Sequence, residues 1–394
     1  MLTFAADWLN LLVRWAHIVV GIGWIGASFY FIGLDVGLKK REKMNPGVYG
    51  TSWQVHGGGF YHVEKYLVAP EHLPDDLIWY QWEAYLTFLS GFTLLIVQYY
   101  LQPQAYLIDP GVLPLASWQA IALSVVGLAA GWFIYDGLCK SPIGKHTTLL
   151  GIAVFVLIVA AAFGFTHVFS GRGALIHVGA FVGTIMAANV FAVIIPNQRK
   201  TVASLMKGEA PDPKYGAIGK QRSVHNTYLT LPVILMMVSN HYPMLTNHPQ
   251  SWLLVALVLV IGAMVRHFLV RHEAGDSAGK VIWALEIAAL SIALAIYLTL
   301  PKQDPALAGM TVSDAEIVAI TQTHCVRCHS EHPTREGFTE APKGIKFDTL
   351  EAVKRYAPLI KTQAVDTDTM PLGNETGMTA DDRKKLGAWL AKYL

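Results

Sequence analysis

Eight apolar runs, each near the length needed to cross a bilayer, constrain this chain more than any other feature. They lie at about 7–34, 77–101, 115–138, 147–170, 173–195, 226–244, 251–270 and 281–300; a helix covering the hydrocarbon core takes roughly 20 residues. With 53% hydrophobic and only 15% charged residues, the chain is too apolar for a soluble enzyme of its length. The runs predict an all-α fold, an eight-helix transmembrane bundle over 1–300. After Pro301 charges become frequent and apolar runs vanish. A linker over 301–312, with Pro301, Pro305 and Gly309, leads into a small second domain over 313–394.

Loop charge sets the expected orientation, because Lys and Arg are retained on the cytoplasmic side. The loops at about 35–76, 139–146, 196–225 and 271–280 hold 15 Lys and Arg, whereas those at 102–114, 171–172 and 245–250 hold only Arg172. Eight spans then put both termini and the second domain in the periplasm of a bacterial inner membrane. The first run starts almost at Met1, without a basic segment or an Ala-x-Ala cleavage site, and reads as a retained span. A net charge of +2 and the lack of any basic-aromatic module give no sign of a nucleic-acid partner.

The second domain contains Cys325-Val326-Arg327-Cys328-His329, the spacing at which two thiols bond a haem and the adjacent histidine ligates its iron. A redox thiol pair or half a zinc site is the bland alternative, and the only other cysteine is Cys139. The expectation is covalent haem c held by Cys325 and Cys328, with His329 and Met370 as iron ligands and Met378 as the runner-up to Met370. Ser313 to Glu316 form a capping-box pattern that opens a first helix. Thr379 caps a last one, whose Leu386, Trp389, Leu390 and Tyr393 recur at helical spacing. Together these predict a small class I c-type cytochrome.

Ionisable residues at membrane depth are costly and are usually kept for function. One layer holds His17, His167, His177 and His241; the other holds Glu83, His225, Asn226, Arg266, His267, His56 and His62. Each histidine alone reads equally well as an ordinary hydrogen-bonded residue. As a set, paired histidines from facing helices are how bundles hold haem b, and His17, His167 and His177 are the best placed for it. Glu286 has no assigned role. The string His56-Gly57-Gly58-Gly59 is either a flexible turn or a backbone able to approach a flat anion closely. It lacks the Gly-x-Ser-x-Gly elbow that a hydrolase reading needs.

Val55 to Phe60, Trp82-Glu83-Ala84-Tyr85, Ile195-Pro196-Asn197-Gln198 and His225 to Pro232, ahead of the Cys-x-x-Cys-His domain, make the chain resemble the bacterial membrane-bound urate hydroxylases of the PuuD type over essentially its whole length. The resemblance implies oxidation of urate to 5-hydroxyisourate in purine breakdown. Electrons would leave through cytochrome c to a periplasmic acceptor, either a soluble cytochrome c or a terminal oxidase. A planar purine monoanion calls for a cation, aromatic walls and a base. Arg222 or Arg266, Trp82 or Phe60, and Glu83, His56 or His225 meet those needs by residue type, and Glu83, His56 and His225 are the expected catalytic set. The rival reading is a quinol-to-cytochrome c relay without urate chemistry. Reduction by urate or only by quinol separates the two.

Overall fold

The computed structural model describes residues 2–66, 70, 73, 74, 76–300, 310–367 and 369–393. The first helix, α1 (Leu2–Gly37), is followed by an antiparallel hairpin of β1 (Val48–His56) and β2 (Gly59–Tyr66). Trp53 faces His62 across the hairpin with their rings stacked at 4.4 Å. Gly57 and Gly58 adopt φ of 57° and 82°, which a β-carbon disfavours, so these glycines make the turn. The expected all-α fold is corrected here: the segment read as a glycine-rich loop is a two-stranded sheet.

The bundle continues with α2 (Trp82–Leu95), which runs into a π-helical turn at Ile96–Tyr100, then the short α3 (Pro103–Tyr106). Next come α4 (Ser117–Lys140), α5 (Thr147–Thr166), and α6 (Gly171–Ala188), which passes through a second π-helical turn at Asn189–Ile194 into α7 (Ile195–Met206). Then follow α8 (Lys214–Val238), the short α9 (Pro243–Thr246), α10 (Ser251–Glu273) and α11 (Ala278–Thr299).

Among the described residues six helices are long and apolar enough to cross a membrane: Trp8–Gly37, α4, α5, Gly171–Met206, α10 and α11. The other two expected spans differ for distinct reasons. The helix at Trp82 has only 14 residues before its π-helical turn, and the first half of α8 carries Lys214, Lys220 and Arg222.

Inside the bundle Leu107, Ile108, Leu150, Ile158, Phe169 and Ile185 are fully buried. Outside it Trp15, Ile22, Phe133 and Leu290 stand 65–71% exposed. Such an apolar surface is a liability in water and suits lipid. Helices approach closely where glycine allows it. A β-carbon on Gly262 would collide with Pro232, and one on Gly131 with the Phe181 ring.

The C-terminal domain is built on α12 (Asp314–His324), α13 (Leu350–Arg355), α14 (Ala357–Ile360) and α15 (Ala380–Leu390). Ser313 caps α12 and Thr379 caps α15 through reciprocal capping boxes, each worth about 1 kcal/mol. Trp389 is fully buried, and its Nε1 donates to Asp314 Oδ1 at 2.7 Å. The domain meets the bundle where Leu372–Asn374 packs on α3 and where Asn247 Nδ2 donates to Thr369 Oγ1 at 3.0 Å. Of the expected linker, Pro301 to Gly309 lies outside the described residues.

Candidate functional site

A cavity of about 1690 Å³ opens between the helices and reaches the C-terminal domain. Its wall includes His17 and Arg14 of α1, Gln98 and Tyr99 of the π-helical turn after α2, Arg172 of α6, and Asn240 and His241 just beyond α8. Cys325, Cys328, His329 and Met370 border the same space from the other side.

Close packing and hydrogen bonds set the polar groups of this wall. Asn10 Nδ2 donates to Gln98 Oε1 at 2.7 Å, and Arg14 donates to Asn10 Oδ1 at 3.0 Å. Asn240 Nδ2 donates to the Tyr99 hydroxyl at 2.6 Å. His17 lies over Gly91, where an added β-carbon would stand 2.8 Å from its Cε1. Ser90 spends its proton on Leu86 O at 2.6 Å, so His17 Nδ1, 3.0 Å from Ser90 Oγ, is the donor in that pair. His17 Nε2 is then the basic nitrogen of the ring.

A second polar network lies deeper. Arg222, 2% exposed, pairs with Asp136 at 2.7 Å, and Asp136 also holds Lys140. Asn189, on the π-helical turn after α6, donates to the Tyr135 hydroxyl at 3.1 Å and to Asn226 Oδ1 at 2.9 Å. The Tyr135 hydroxyl stands 2.7 Å from His225 Nδ1.

The profile of the urate oxidase N-terminal family matches residues 3–299. The chain belongs to that family. No curated protein and no solved structure matches it.

In this urate oxidase family member the expected haem groups are corrected. Among the described residues no group of three or more His, Cys, Asp or Glu side chains is placed to hold a metal ion. The family match ends at 299 and lends no support to the segment from Cys325 to His329. For the intramembrane haem b the reason is specific. His177 Nδ1 donates to Gly173 O at 2.6 Å and its Nε2 meets Ser124 Oγ at 2.7 Å, which leaves neither nitrogen for iron. His167 Nδ1 turns back onto Phe163 O at 2.7 Å, and His17 bonds to Ser90 as described. The three histidines each find a local partner. Cys325 and Cys328 are free thiols, and burial pushes the Cys325 thiol up to about 12. His329 Nδ1 donates to Ile345 O at 2.9 Å.

The expected catalytic residues sit on three different elements, β1, α2 and α8. His56 is exposed at the end of β1, Glu83 is half-buried in the first turn of α2, and His225 belongs to the Tyr135 network. None of the three is among the described residues lining the cavity. Trp82 and Phe60 are 61% and 77% exposed. Of the expected cations, Arg222 is committed to Asp136. Arg266 is fully buried with its guanidinium 3.9 Å from the centre of the Phe29 ring. Among the cations on the cavity wall are Arg14 and Arg172, and Arg172 is in the sequence only a loop charge. Its signal was its isolation, one Arg in loops otherwise without Lys or Arg.

Proposed function

We propose that this protein is a membrane-bound urate oxidoreductase of purine breakdown. It converts urate and water to 5-hydroxyisourate, two protons and two electrons, and the electrons go to a periplasmic acceptor, a soluble cytochrome c or a terminal oxidase. The family match across residues 3–299 carries this reading. The cavity supports it chemically, since urate at neutral pH is a flat monoanion and the wall offers cations, aromatic rings and a histidine with one basic nitrogen. Both termini face the periplasm in this scheme; the distribution of Lys and Arg favours that orientation where the helices at Trp82 and Lys214 also cross the membrane.

The test is urate consumption by the purified full chain in detergent or nanodiscs, with added oxidised cytochrome c as acceptor. The reading expects urate loss coupled to acceptor reduction. Urate that persists with cytochrome c, quinone and oxygen each supplied in turn overturns it.

A further inference from the structure

We infer that the part of the cavity wall formed by Arg172, Tyr99, Asn240 and Arg14 is the binding site for the urate anion; this rests on the function proposed above and locates it. Three carboxylates line the cavity among the described residues, and each already holds a cation: Asp35 with Lys65, Asp212 with Lys214, and Glu375 with Arg335. Arg172 has no such partner. Its guanidinium makes no hydrogen bond or ion pair with any described residue, and its Nε is buried. Arg14 has only the amide oxygen of Asn10. A half-buried cation without a counter-ion is costly, and an anion in the cavity offsets that cost.

The two cations act on one place. Arg14 and Arg172 both stand within electrostatic reach of the Tyr99 hydroxyl, and Arg172 also reaches that of Tyr106. Tyr99 is 4% exposed, so the field there is poorly screened. The neighbouring polar atoms favour a purine over a simple inorganic anion. Asn240 gives its N–H to Tyr99, while its Oδ1 is buried without a donor. A ligand that accepts from a guanidinium and also donates an N–H satisfies both orphans together. Urate carries ring N–H groups beside carbonyl oxygens on one flat frame. A halide or a carboxylate answers only the cation.

Arg14 lies one helical turn before His17, and His17, with Nε2 free to accept a proton, lines the same cavity as Tyr99. The site also adjoins the C-terminal domain. A β-carbon on Gly373 would stand 2.8 Å from Gln104 O of α3, the helix that ends at Tyr106.

The experiment is calorimetric binding of urate, and of uncharged hypoxanthine, to the purified full chain in nanodiscs. Arg172→Gln, Arg172→Lys and Asn240→Asp are compared with the parent, and Arg271→Gln, paired with Asp276 and not among the residues lining the cavity, is the control. Arg172→Gln should weaken urate binding at least about tenfold, as loss of a desolvated charge partner does, and leave hypoxanthine unchanged. Lysine should restore part of the loss. Asn240→Asp, which places a carboxylate against the anion, should weaken urate as well and decides the matter if Arg172→Gln does not fold. Urate binding to Arg172→Gln or Asn240→Asp with parental affinity overturns the site. The two readings fail separately: a parent that oxidises urate while the variants bind normally keeps the function and loses the site. A parent whose urate binding depends on Arg172, but which oxidises none, keeps the site and loses the function.

Discussion

Ser124 Oγ stands 2.7 Å from His177 Nε2 in a fully buried pair between α4 and α6. Because His177 Nδ1 must donate to Gly173 O, Nε2 accepts from Ser124, and Ser124 in turn accepts from the Tyr100 hydroxyl at 2.5 Å. Every proton in the chain has one direction. Ser124→Ala strands the buried Nε2 and should cost about 1–3 kcal/mol, seen as a lower thermal midpoint in detergent, with urate affinity unchanged. Full stability in that variant contradicts the assignment.

The Arg222–Asp136 pair predicts a larger loss. Arg222 is 2% exposed and its partner carboxylate 14%, and removing one member of a buried pair leaves an uncompensated charge worth about 3–5 kcal/mol. Asp136→Asn should therefore lower folded yield and thermal stability well beyond Asp381→Asn, whose exposed partnership with Lys385 contributes little. Similar midpoints for the two variants would disprove the ranking.

Much of this arrangement was legible in the sequence, but unevenly. Apolar runs located six helices because bilayer thickness leaves a length signature. They could not show that Ile96 and Asn189 begin π-helical turns, because an apolar run has the same length signature with or without one. The caps at Ser313 and Thr379 were readable because capping is local. The hairpin was obscured by its glycines, although Thr51, Trp53 and Val55 alternate across from Phe60 and His62. The cavity wall was hardest, since Arg14, Tyr99, Arg172 and Asn240 come from four separate segments. Grouping histidines by depth suggested haem pairs, whereas His17 and His177 bond to serines of neighbouring helices and His167 to its own helix.

Gly91 predicts a coupled effect. A β-carbon there meets His17 Cε1 at 2.8 Å, so Gly91→Ala should displace the imidazole from the cavity wall and reduce urate turnover. In a double-mutant cycle with His17→Ala, the Gly91 change should add little once the ring is gone. Additive losses contradict the idea that Gly91 acts through His17.

The caps of the C-terminal domain predict a pH dependence. The Ser313 backbone N–H and hydroxyl hold the Glu316 carboxyl below its ordinary 4.5. The Thr379 hydroxyl, with its backbone N–H, holds Asp382 below its ordinary 3.8. A folded-state value below the unfolded one gives stability that is present above the unfolded value and lost as pH falls through the folded one. The thermal midpoint read from Trp389 should decline as pH falls below about 4.5, and less steeply in Glu316→Gln. An equal slope in that variant removes Glu316 from the account.

The central claim is that urate is oxidised by loss of two electrons to a separate acceptor, with water supplying the new oxygen. Turnover in water labelled with heavy oxygen tests it most directly, with the purified full chain, urate and oxidised cytochrome c under nitrogen. The account predicts labelled 5-hydroxyisourate and two cytochromes reduced per urate consumed. Turnover that stops without oxygen, or product that carries no label, contradicts it.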